Sequence, residues 1–176
     1  MNVVVLGLGS NRNFDGFSSV DLLKKAVLHM NRILSESVYS SVYRTKAMYV
    51  ENQSDFYNMV MLGTLSDEYT PHKLLEYIHR VESLLGRNRA KEIRFGPRSI
   101  DIDIEFFGDS EINDSDLQIP HPRLYERAFV LKPLLEILPK CSDVLKGKNL
   151  KKIETDFKDL SSDDVKLFIS SAEIFS

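Results

Sequence analysis

The sequence predicts an α/β chain of the α+β kind, in which a mostly antiparallel sheet carries helices packed on it. Three observations support this. Short runs rich in β-branched residues alternate with two longer stretches of helical periodicity. Both helical stretches open on a residue suited to capping. In Ser99-Ile100-Asp101-Ile102-Asp103-Ile104-Glu105-Phe106-Phe107, isoleucine and aspartate alternate strictly, which is the period of a strand with one apolar and one polar face.

Val3 to Gly9 is a β-branched run ending in Gly9-Ser10-Asn11, a buried strand followed by a turn. Its Gly7-Leu8-Gly9 lacks both a third glycine and a Gly-Lys-Ser/Thr, so it is weak evidence for a nucleotide loop. Ser18 or Ser19 caps the next helix, Asp21 sits in its first turn, and Val20, Leu23, Val27, Met30 and Leu34 follow the helical period. Ser37 to Arg44 reads as a strand and Phe56 to Leu65 as another. Thr45 to Asp55 is a long irregular loop between them, of the length that often carries function. Thr70-Pro71 starts the second helix, with an apolar stripe of Leu74, Leu75, Ile78, Val81 and Leu85 and Gly86 as its C-terminal cap. The aspartate strand follows. The order β-α-β-β-α-β is the ferredoxin-like arrangement. It places two helices on one sheet face and leaves the other free for a site, with Asp101 and Asp103 toward it. Pro120, Pro122, Pro133 and Pro139 punctuate the next stretch, which holds a short helix near Leu131 to Leu138. Residues 1–140 form the core domain, and 141–176 are an extension of the same domain to which the pattern assigns no fold.

Composition narrows the function classes. The 176 residues are 43% hydrophobic and 28% charged, ordinary for one globular domain. A net charge of −3 argues against a general nucleic-acid binder. The single cysteine excludes an intramolecular disulfide framework or a multi-cysteine zinc site. No apolar run reaches membrane-spanning length, and the N-terminus reads as a strand rather than a leader, so a cytoplasmic monomer is expected, with no membrane partner.

The chemistry is concentrated around the aspartate strand. Asp101 and Asp103 stand side by side, and two such carboxylates repel unless a cation sits between them. Upstream lie Arg87, Arg89, Lys91, Arg94 and Arg98, bracketed by Gly86 and Gly96. Carboxylates on a rigid strand beside arginines on a loop suit magnesium-assisted chemistry on a polyphosphate. Taken singly, each feature also fits plainer accounts: outward charges discourage strand aggregation, and arginine runs are commonly solvated loops. No Ser-His-Asp or Cys-His arrangement is evident, so a direct displacement needs no covalent intermediate.

These residues, read together, resemble the 6-hydroxymethyl-7,8-dihydropterin pyrophosphokinase family of folate biosynthesis. The most specific segment is Arg94-Phe95-Gly96-Pro97-Arg98-Ser99-Ile100-Asp101-Ile102-Asp103-Ile104. Supporting blocks are Gly9-Ser10-Asn11, Tyr43-Arg44-Thr45, Asp55-Phe56-Tyr57-Asn58, Glu82 through Arg89, and Pro120-His121-Pro122-Arg123 with Arg127-Ala128-Phe129. The resemblance implies transfer of pyrophosphate from ATP to the pterin hydroxymethyl group, releasing AMP, with two magnesium ions accompanying ATP. It implies that Asp101 and Asp103 bind metal and, with Arg87 and Arg98, carry catalysis. Glu82, Arg87, Arg89, Arg94, Arg98, Ile104, His121 and Arg127 fall on the ATP side. Thr45, Met48, Phe56, Asn58 and Phe129 match the pterin pocket, where phenylalanines sandwich a flat heterocycle and an asparagine amide reads its edge. Departures are Lys46-Ala47 after the threonine, Phe95 in place of a tryptophan, and Asp116 and Pro122 where basic and aromatic residues are frequent.

Residues 87 to 98 have the ingredients of a lid that closes over bound substrates: glycines near both ends, few apolar anchors and positive charge. Two rival readings share the topology or the aspartates. An RNA-binding ferredoxin-like module should show exposed aromatics on central strands in a basic surface, whereas this strand carries aspartates. A metal-dependent phosphodiesterase calls for further acidic or histidine ligands grouped nearby.

Overall fold

The computed structural model describes residues 1–47, 53–91, 96–141, 148–157 and 164–176. The chain begins with β1 (Asn2–Ser10), whose Val4, Val5, Leu6 and Leu8 are buried on both faces. α1 (Ser19–Met30) follows. Ser18 is its cap and Asp21 returns the bond to the Ser18 N–H, so two otherwise orphaned backbone donors are satisfied. Two short strands come next, β2 (Ser35–Tyr39) and β3 (Val42–Thr45), where the alternation suggested one. The break at Ser40-Ser41 is held from outside. Glu136 accepts both the Ser41 N–H and its hydroxyl at 2.9 Å, while Ser40 Oγ accepts the Val60 N–H at 2.9 Å.

β4 (Phe56–Leu65) is the central strand, and α2 (Pro71–Leu84) starts at the Thr70 cap with proline at its first position, as the sequence predicts. α2 ends with Gly86 at φ +90°, where the Gly86 and Arg87 N–H groups bond back to the Ser83 and Glu82 carbonyls. β5 (Asp101–Phe107) is the aspartate strand. A small hairpin of β6 (Ile112–Asn113) and β7 (Gln118–Ile119) leads to α3 (Ala128–Ile137), then α4 (Lys148–Asp156) and β8 (Lys166–Ile169). The main sheet runs β5-β1-β4-β3-β8, with β2 also pairing β4, and every recorded pairing is antiparallel. This is the α+β arrangement expected from the sequence.

One expectation needs correction. The face opposite α1 and α2 is not left free. α1 and α2 bury Leu23, Val27, Leu74 and Ile78 against Leu6, Met61, Ile102 and Ile104. On the other face Val130, Leu131, Leu134 and Ile137 of α3, with Ile153 of α4, pack against Val5, Val60, Leu62 and Phe106. Each such side chain contributes about 1.5–3 kcal/mol by leaving water. A strand covered on both sides must be apolar throughout, which is why Met59-Val60-Met61-Leu62 does not alternate. The second layer covers only part of its face, and the uncovered part lies where Asp101 and Asp103 emerge.

Candidate active site

A cleft of about 340 Å³ opens on that uncovered part. Both halves of the expected site line it. Arg87, Arg89, Arg98, Asp101, Asp103 and Arg127 form one side, and Thr45, Phe56, Asn58 and Phe129 another. The Ile/Asp alternation explains the first group, since Ile100, Ile102 and Ile104 fill the helix-side core while Asp101 and Asp103 point to the cleft.

Arginines neutralise the carboxylates. Asp101 accepts from Arg87 and from Arg98, three residues upstream. Burial works against the Asp101 carboxylate, but these two guanidiniums overcome it and hold its pKa below the ordinary value. Asp103 Oδ2 accepts from Arg127 Nη1 at 2.7 Å. Burial likewise opposes the Arg87 charge, and Asp101 with Glu82 outweighs it, keeping the guanidinium protonated.

Glu82 has a structural place. It is 1% exposed, accepts from Arg87 and Arg89, and takes the Ile102 N–H at 2.8 Å, tying α2 to β5 and aiming both arginines. It does not line the cleft. The Ile104 side chain, expected on the nucleotide side, is buried in the helix-side core, so only its backbone could face a nucleotide. His121 does not line the cleft but stands beside Asp103, which does. Its Nδ1 accepts the Arg123 N–H at 3.2 Å, which leaves Nε2 to carry the proton, 4.0 Å from Asp103. Burial lowers its pKa, so the ring is neutral at pH 7.

On the aromatic side, the Asn58 amide donates to Thr45 Oγ1 at 2.9 Å, joining β4 to β3. Gly9 leaves room for the same amide, because a Cβ there would lie 3.1 Å from Asn58 Oδ1. Arg127 spans the two sides: its guanidinium stands 5.6 Å from the Phe129 ring centroid while bonding Asp103. Met48 and Arg94, expected in the pterin pocket and on the nucleotide side, lie outside the described residues.

Two residues with a clear part in the site were given no site role by the sequence. Asn11 accepts the Arg98 N–H at 2.7 Å and donates to Gln53 and to the Ser54 carbonyl, so the turn after β1 clamps the segments flanking the cleft. Glu105 lines the cleft fully buried, with no hydrogen bond to either carboxyl oxygen among the described residues. Burial, then the Asp103 charge, pushes its pKa up to about 8. The period-two pattern that placed Asp101 and Asp103 on one face extends to Glu105 and could have found it. His72, Asp114 and Asp116, none of which lines the cleft, form an exposed group whose ligand atoms lie within 4.8 Å of one another. Among the described residues, no helix is long and apolar enough to cross a membrane.

Comparison with known proteins gives the family. Residues 5–139 match the family described as 7,8-dihydro-6-hydroxymethylpterin-pyrophosphokinase (HPPK). A Bacillus subtilis protein named 2-amino-4-hydroxy-6-hydroxymethyldihydropteridine pyrophosphokinase is 38% identical over 138 residues, 77% of this chain and 78% of that one. Its Aquifex aeolicus namesake is 37% identical over 154 residues, 88% and 91% of the two chains. Among solved structures, Plasmodium falciparum HPPK-DHPS with STZ-DHP superposes with a TM-score of 0.58 at 16% identity, covering 94% of this chain and 46% of that one. At that identity the likeness shows the fold, and this chain spans just under half the length of the solved protein. The family match over most of the chain, together with the two namesakes, shows that the chain belongs to the 6-hydroxymethyl-7,8-dihydropterin pyrophosphokinase family.

Proposed function

We propose that the protein transfers the terminal diphosphate of ATP to the hydroxymethyl oxygen of 6-hydroxymethyl-7,8-dihydropterin, releasing AMP, in the cytoplasm and as a step of folate biosynthesis. The observation that carries the reading is the shared cleft. A carboxylate pair ringed by arginines and an Asn-Thr-Phe surface suited to a flat heterocycle open into the same 340 Å³.

The residues present fit a pair of divalent cations. Asp101 and Asp103 offer hard oxygen donors on one strand face, at 18% and 33% side-chain exposure, and both already hold cationic groups. When bound, magnesium would neutralise the triphosphate and polarise the phosphorus under attack. The chain's own residues do the rest. Arg87 and Arg98, now on Asp101, turn their forks to phosphate oxygens when nucleotide enters, and Arg98 sits three residues before Asp101 in the chain. Phe56 and Phe129 offer faces to the pterin, and Asn58 an amide edge, so the hydroxymethyl group is oriented rather than free. In the displacement the pterin hydroxyl oxygen forms a bond to the β-phosphorus as the bond from that phosphorus to the α–β bridging oxygen breaks, and the hydroxyl proton is lost to water. The electron pair leaves on AMP.

The test is product analysis of protein, ATP, magnesium and the pterin alcohol. The reading expects equimolar AMP and pterin diphosphate. Formation of ADP, or nucleotide hydrolysis indifferent to the pterin, would favour a simple kinase or a phosphodiesterase instead. Retention of RNA on a filter without turnover would favour an RNA-binding module.

A further inference from the structure

We infer that Glu105 is a positioning residue, a second seat that takes the Arg127 guanidinium from Asp103 when Asp103 turns to a metal-bound nucleotide. This rests on the proposed placement of divalent cations at Asp101 and Asp103.

Glu105 is 0% exposed, lines the cleft, and makes no hydrogen bond through either carboxyl oxygen among the described residues. A buried carboxyl without hydrogen bonds is unfavourable in either protonation state, and a donor brought to it in another state of the protein relieves that cost. The nearest cation is already close. Arg127 Nη1 is 2.7 Å from Asp103 Oδ2 and 3.8 Å from Glu105 Oε1, so a shift of about 1 Å brings the guanidinium to ordinary charge-assisted hydrogen-bond distance.

Local backbone structure holds Glu105 in that place. β5 changes register against β1 between Val5 and Leu6, with Val5 opposite Phe106 and Leu6 opposite Ile104. Glu105 is the extra residue of this bulge, so it and Phe106 both turn to the face that carries Asp101 and Asp103. Its carbonyl accepts the His121 N–H at 3.1 Å, which pins the bulge. Gly7 on the neighbouring strand makes the space, because a Cβ there would stand 2.8 Å from Glu105 Oε1.

A second seat answers a conflict in the site. Arg127 draws charge from Asp103 Oδ2 and competes with a divalent cation for it, and a guanidinium left beside that cation would be repelled by it. Expelling Arg127 from the cleft would remove a positive group that flanks the Phe129 ring at 5.6 Å. Passing it to Glu105 frees Asp103 and keeps Arg127 in place. A carboxylate or a neutral carboxyl serves, since each presents an acceptor oxygen to the fork.

The experiment titrates Mn²⁺, as the probe, into protein saturated with α,β-methylene-ATP and reads bound metal by electron paramagnetic resonance. Wild type is compared with Glu105→Met, Glu105→Gln, Arg127→Met and the Glu105→Met/Arg127→Met pair, with circular dichroism confirming the fold of each. Glu105→Met should weaken Mn²⁺ binding at least threefold, Glu105→Gln should recover most of the loss, and Glu105→Met should add nothing once Arg127 is gone. Mn²⁺ affinity of Glu105→Met within twofold of wild type, or an undiminished effect in the Arg127→Met background, overturns the inference. Should Glu105→Met not fold, a crystal structure of the wild-type ternary complex decides. Arg127 hydrogen-bonded to Glu105 supports the second seat, and Arg127 still on Asp103 removes it. A wild-type protein that binds no Mn²⁺ with the analogue refutes the cation placement, and this inference with it; normal wild-type binding with an indifferent Glu105 refutes this inference alone.

Discussion

Gly86→Ala tests how the fold aims the site. Gly86 ends α2 at φ +90°, and the turn it permits sends the next residue, Arg87, back to Glu82 and Asp101. An alanine in the left-handed region costs about 1–2 kcal/mol through Cβ crowding against the following carbonyl. The new Cβ would also stand 2.3 Å from Cγ and Cδ2 of Phe14, which no packing tolerates. Phe14 is 41% exposed and can swing toward water, so relief forfeits only part of its buried area, about 1 kcal/mol. The two parts sum to about 2–3 kcal/mol of lost stability. Urea denaturation followed by far-ultraviolet circular dichroism measures it, and the Phe14→Ala background separates the parts, since there only the backbone cost should remain. A Gly86→Ala protein within about 0.5 kcal/mol of wild type, the ordinary scatter of surface substitutions, would refute the reasoning. An equal cost in both backgrounds would remove the steric half.

Three further outcomes are expected. Burial, then the Glu136 charge, raises the Tyr43 pKa to about 12, so the folded protein keeps a proton that the unfolded chain loses near pH 10. Its contribution is therefore complete below pH 10 and lost as pH rises toward 12, by roughly 2 kcal/mol, and Tyr43→Phe should flatten that part of the stability curve. Phe129→Ala should weaken pterin binding by more than about 1 kcal/mol in calorimetry while leaving ATP affinity unchanged; the reverse pattern would put the aromatic pocket on the wrong substrate. Arg98→Ala should lower kcat about 100-fold with a modest change in ATP affinity, as for other preorganised donors to developing charge. A proportional loss of ATP binding with unchanged kcat would make Arg98 a ground-state contact.

The parts of the fold that local chemistry determines were legible. Thr70-Pro71 and Ser18 with Asp21 mark helix starts because their cap bonds span only three residues. The single strand expected over Ser37 to Arg44 was not found, because what breaks it is Glu136, nearly a hundred residues away. The second helical layer was missed for a similar reason. Its signal is the absence of alternation in Val4-Val5-Leu6 and Met59-Val60-Met61-Leu62, which reads equally as a short buried run until α3 is placed against it. In the site, the aspartate and arginine cluster was legible from charge pattern, while the aromatic residues came from resemblance. Glu105 follows from strand parity. The bulge that sets Phe106 beside it leaves no mark in the residue types.

The most direct test of the central claim follows the label from ATP carrying ³²P at the β-phosphorus, with magnesium and the pterin alcohol present. The account predicts that all transferred β-label appears in the pterin product, none in AMP or free phosphate, and that Asp101→Asn and Asp103→Asn, folded as wild type, abolish most of that transfer. Label retained in ADP, released as pyrophosphate without pterin, or transferred at wild-type rate by both variants at limiting magnesium would contradict it.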